Sequence, residues 1–232
     1  MSVYNESQAM ENQESIEKKF KTLSRKIKNM GELSIEMVKL ITAAFSMKNP
    51  ENMDRINLLE DRVNRNQILI DEECIQMLSG ELPSQIDLRF VIAILKTTAE
   101  LERIGDQVIN IKDHFSRIKL SGLTDKTATN DLKRMGEETI RMIESSNRAL
   151  LERNEQEAEW VLSHDDVIDD MKRQFYTYAT SMMMASPPNI RAYLDIIIMA
   201  SNFERIADLA TNIAENAIYF IKGKDIRHSR EE

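Results

Sequence analysis

The sequence predicts an all-α protein, six long helices arranged as two tandem three-helix repeats with pseudo-two-fold symmetry. Three observations carry that expectation. Helix breakers are scarce, with six Gly and four Pro in 232 residues, and all four Pro stand where helical patterning stops. Apolar residues recur at steps of three, four and seven. The pattern also restarts midway along the chain, which is the mark of an internal repeat.

The first helix carries Ile16, Phe20, Leu23, Ile27, Met30, Met37 and Ile41 on one stripe and is expected to end near Met47, before Asn49-Pro50. Pro50 suits the first turn of a second helix, whose stripe is Ile56, Leu59, Val63, Ile70, Cys74 and Met77, closed by Gly80 and Pro83. A third helix begins near Gln85 and reaches about Leu120, ahead of Gly122. Thr124-Asp125 can cap a fourth, running to about Arg153. The fifth spans about Glu155 to Ala185, and Ser186-Pro187-Pro188 breaks it. The sixth runs from about Asn189 to Lys222 and stops at Gly223. The implied organisation is a disordered polar tail over 1–13, repeat units over 14–122 and 123–224, and a polar tail over 225–232.

Two offsets describe the repeat. Met30-Gly31-Glu32 maps onto Met135-Gly136-Glu137 at 105 residues, and Glu102-Arg103-Ile104 maps onto Glu204-Arg205-Ile206 at 102. A length difference in the loop holding Pro83 or Pro187 accounts for the change. Gly31 and Gly136 fall inside helices, where Gly is unfavourable by about 1 kcal/mol against Ala. Matching positions in both halves point to close helix approach.

Composition excludes several functions. A net charge of −8 and a pI near 5.1 repel nucleic-acid phosphates, so no nucleic-acid partner is expected. Cys74 is a lone cysteine on the apolar phase of its helix and reads as an inert core residue. The N-terminus lacks the apolar region of a signal peptide, and the run YLDIIIMA at 193–200 is too short for a membrane span, so a cytoplasmic protein is expected.

The chemistry gathers in carboxylate ladders. ELERIGDQVIN holds Glu102, Asp106 and Asn110 at four-residue steps, and NFERIADLATN repeats them as Glu204, Asp208 and Asn212. The fifth helix has Asp165 and Asp169, and the second has Glu60 and Asn64 at the matching positions. Acids four apart share a helix face and repel one another. A hard cation between facing ladders removes that repulsion, and oxygen donors suit Mg, Ca, Mn or iron. A solvated acidic face partnered by Arg fits the same spacing. None of His114, His164 and His228 follows a Glu by three residues, so the Glu-x-x-His motif of di-iron bundles is missing. No phosphate loop or nucleophile triad is present, and an enzyme is not expected.

The stretches IDLRFVIAILKTTAELERIGDQV and NFERIADLATNIAENAIYFIKG, set in tandem three-helix units, resemble the PhoU family over about 14–224. That resemblance implies two PhoU repeats whose acidic motifs hold iron, or Mg, Mn or Zn, in multinuclear clusters. The implied metal positions are Glu102, Asp106, Asp165, Asp169, Glu204 and Asp208, with Asn110 and Asn212 beside them and Glu60 from the second helix. The family often has His after the motif Asp, where this chain has Gln107 and Leu209. The resemblance also implies a negative regulator of phosphate homeostasis. It would couple the ATPase of a phosphate ABC transporter to a phosphate sensor histidine kinase, reaching the membrane only through those partners. Long exposed helices suit a homodimer. A carboxylate-bridged metalloenzyme and a helical scaffold without metal are the alternative readings.

Overall fold

A computed structural model describes the backbone of residues 2–46, 53–80 and 84–226, with side chains from Ile16 onward. The described residues form six α-helices: α1 (Ser2–Ala44), α2 (Met53–Leu78), α3 (Gln85–Ser121), α4 (Lys126–Glu152), α5 (Glu155–Ala185) and α6 (Ile190–Lys222). Pro187–Asn189 form one 3-10 turn ahead of α6. No strand occurs among the described residues.

The helix ends follow the local chemistry. Asp87 N donates to Ser84 Oγ at the start of α3, and Ala128 N to Asp125 Oδ1 at the start of α4. Gly122 and Gly223 terminate α3 and α6 in the left-handed region, at φ 73° and 70°. The expected tail over 1–13 is instead helical from Ser2. That stretch is polar but contains neither Gly nor Pro, so nothing in it interrupts the helix. The turn expected at Asn49-Pro50, Pro83 and all but the first two residues of the 225–232 tail lie outside the described residues.

α1, α2 and α3 pack on one another, as do α4, α5 and α6. Among the described helices the two bundles meet through α1 against α4 and α3 against α6, which are repeat equivalents. α2 and α5 are therefore the outer helices. α3 and α6 run antiparallel: the Phe90 and Phe220 rings meet in a tilted contact at 5.1 Å, and His114 Nδ1 reaches Asp195 Oδ1 at 2.7 Å. This register places Ile104 and Ile206, both fully buried, at the middle of the crossing. Phe45 joins the bundles by edge contacts with Phe115 and Phe203.

The α1–α4 crossing explains two mid-helix glycines. A Cβ on Gly31 would meet Asn147, with Cγ at 3.0 Å, and one on Gly136 would meet Thr42, with Cγ2 at 2.9 Å. Thr42 and Asn147 are themselves equivalents at the 105 offset. Each half thus inserts one residue against the other's glycine, as a two-fold axis requires. Lys39 and Glu144, a third equivalent pair, close the same crossing at 2.7 Å.

Candidate metal centres

The ladders come from faces flanking the core stripes. On α3, Leu101, Ile104, Val108 and Ile111 are fully buried, which leaves Glu102 and Asp106 at the edge toward α2. On α6, Phe203, Ile206, Ala210 and Ile213 do the same for Glu204 and Asp208. Packing of α2 on α3 and of α5 on α6 then brings the second set of acids alongside.

In the first half, Glu102 is half-buried. Burial first, then the charge of Asp106 and, less strongly, of Glu60, pushes its carboxyl above the ordinary range, against the pull of Arg103. Asn64 Nδ2 donates to Glu60 Oε1 at 2.5 Å. Asn64 Oδ1 is buried and accepts no hydrogen bond among the described residues. Gln107 Oε1, next to Asp106 in the chain, is in the same condition. Buried acceptors of this kind are uncommon and need a partner.

In the second half four carboxylates from two helices crowd together. Asp208 is pushed up to about 6, by burial first and then by Glu204, Asp165 and Asp169, with Lys172 opposing. Lys172 Nζ meets Glu204 Oε1 at 2.8 Å. Thr211 Oγ1 lies 3.3 Å from Asp165 Oδ1 while also bonding Ala207 O at 3.1 Å.

The structure therefore gathers Glu60, Glu102 and Asp106 in one place and Asp165, Asp169, Glu204 and Asp208 in another. It does not bring in the two motif asparagines. Asn110 is exposed, and Asn212 Nδ2 turns to Glu100 Oε2 at 3.4 Å, across to α3. Among the described residues, no group of three or more His, Cys, Asp or Glu is arranged to hold a metal ion as the side chains stand. The donor chemistry nevertheless fits a hard cation: every ladder donor is an oxygen, an ammonium already bonds Glu204, and the Asn64 carbonyl oxygen is free to accept.

The histidines have other partners. His114 and Arg117 both bond the buried Asp195, which satisfies the one acid in the apolar run of α6. His164 is half-buried: it stacks on Trp160 at 4.5 Å and reaches Glu138 Oε2 at 3.1 Å. Trp160 itself is 37% exposed, so it covers His164 at the surface rather than filling the core. Cys74 is fully buried and its thiol is pushed up to about 12, chiefly by burial, which leaves it unreactive. Sequence reading overlooked Lys172, although its position seven residues after Asp165 and three after Asp169 sets it on the ladder face.

A PhoU domain family model matches residues 27–113 and 132–217, one match in each bundle. The chain is 30% identical to the phosphate-specific transport system accessory protein PhoU of Edwardsiella tarda, over 87% of this chain and 82% of that one. It is 29% identical to the protein of the same name from Escherichia coli (strain K12), over 89% of this chain and 85% of that one. The crystal structure of PhoU from Pseudomonas aeruginosa superposes with a TM-score of 0.85 at 25% identity, covering 90% of this chain and 99% of that one.

Proposed function

The chain belongs to the PhoU family, and from that premise we propose that it is an accessory regulator of phosphate-specific transport that binds metal ions at its two carboxylate ladders. It docks on the ATPase of a phosphate ABC transporter and on a phosphate sensor histidine kinase, and represses phosphate-starvation signalling when phosphate is plentiful. No helix among the described residues is long and apolar enough to cross a membrane, which accords with a regulator that reaches its transporter through protein contacts.

The observation that carries the metal reading is the gathering of Asp165, Asp169, Glu204 and Asp208 from two helices, where burial first and then the neighbouring acids push Asp208 up to about 6. Glu60, Glu102 and Asp106, with Asn64, form the equivalent donor set in the first half. A bound cation would neutralise the ladders and tie each outer helix, α2 or α5, to its inner neighbour. Each outer helix is already packed on its inner neighbour. The long solvent-facing sides of α2 and α5, outside the inter-bundle contacts, are left for partner proteins.

The adaptor role is tested by co-purification of the tagged chain with the transporter ATPase and the kinase from its own host. Recovery of both, together with raised phosphate-starvation transcripts at high phosphate after gene deletion, is expected. A deletion strain with normal repression would reject the regulatory role.

A further inference from the structure

The two ladders are not equivalent, and the differences lie in two side chains, Asn64 against Asp169 and Gln67 against Lys172. Lys172 stands on α5 on the same face as Asp165 and Asp169, and its ammonium reaches across to Glu204 on α6 at 2.8 Å. It spans the same two helices that supply the four carboxylates. Both partners are largely withdrawn from solvent, with side-chain exposures of 28% and 18%, so the pair is not a loosely held surface contact. At the equivalent position in the first half, 105 residues earlier, stands Gln67, which carries no charge. The acid count changes with it. The second half has four carboxylates and one ammonium, and the first has Glu60, Glu102 and Asp106 with neutral Asn64 and Gln67, which leaves −3 in both places.

We propose that Lys172 is an internal counter-cation of the second ladder, which holds Glu204 in the metal-free protein and must leave when a divalent cation enters. The inference rests on the metal-binding reading above and concerns how the second site is regulated. An ammonium and a divalent ion on the same carboxylate repel each other, so the two occupy the ladder in alternation. A lysine is suited to this because its flexible stem lets the charge swing out to water without moving the helix. The second site therefore takes metal by exchange, whereas the first takes it by simple addition.

The test is Mn2+ binding by calorimetry and equilibrium dialysis on the full chain, with K172Q, K172R and Q67K, and with D208N to identify the second site. K172Q should bind Mn2+ about tenfold more tightly at the site that D208N removes, and equally well at the other. K172R should behave like the wild type, and Q67K should weaken the first site. Melting without metal adds a readout independent of affinity: K172Q should melt lower than wild type and recover more on adding Mn2+. Unchanged or weaker Mn2+ binding by K172Q at a second site that the wild type does fill would overturn the proposal while leaving the metal reading intact. Absence of Mn2+ binding in every folded variant would bring down the metal reading and this proposal with it.

Discussion

Asp208 concentrates the electrostatic strain of the second ladder. Its carboxyl titrates at about 6 in the fold, against about 3.9 in an unfolded chain. Between those values the folded state keeps a proton that the unfolded state has released, so stability falls as pH rises through the window. The group's contribution is at its best below the unfolded value and is lost above the folded one. Asp208 is exposed at the edge of the α5–α6 contact, and solvent screens much of the penalty. After that discount, D208N should stabilise the metal-free protein at neutral pH by about 1 kcal/mol and should have little effect near about pH 4. Urea melts of both proteins across that range measure the difference. A D208N protein no more stable than wild type at neutral pH would mean that the acids do not press on one another.

At the scale of the helix, two contacts set how the elements meet. Gly136 lets α4 approach α1 until its backbone touches Thr42. Thr42 is β-branched and cannot swing aside, so G136A should destabilise by about 1–3 kcal/mol. Replacing Thr42 as well, in G136A with T42A, should recover part of that loss. G31A should be milder, because the obstructing group there is the mobile amide end of Asn147. The second contact is Asp125, which caps α4 through Ala128 N and accepts the hydroxyls of Tyr178 on α5 and Tyr193 on α6, at 2.8 and 2.9 Å. The backbone and tyrosine hydrogen bonds outweigh burial and hold its carboxyl below the ordinary range, while burial foremost pushes Tyr193 up to about 12. Loss of one cap and two hydroxyl partners in D125A should lower stability by about 2–4 kcal/mol. Chemical denaturation reads each of these changes, and a G136A protein as stable as wild type would contradict the close crossing.

Across the whole molecule, what could be read from the sequence was what periodicity encodes. Helix ends marked by Gly122, Pro187 and Gly223, the 105-residue repeat and the core stripes all depend on neighbours along one helix, and they stand in the structure. In the structure the charge of Glu60 acts on Glu102, and that of Asp165 on Asp208, across the α2–α3 and α5–α6 contacts. What could not be read depends on register between helices. The spacing that put Asn212 on the ladder gave no sign that it turns to Glu100, and Asp195 found His114 and Arg117 only through the antiparallel α3–α6 crossing. Lys172 was hidden for a different reason: a lone lysine beside acids is commonplace until its partner helix is placed. The proposed function requires acids from paired helices to share cations in each bundle. The most direct measurement is the number of Mn2+ or iron ions held per folded chain in wild type, D106A and D208A. Two separable binding events are expected, the first removed by D106A and the second by D208A. Folded wild-type protein that holds no ion, or binding untouched by both substitutions, would contradict that expectation.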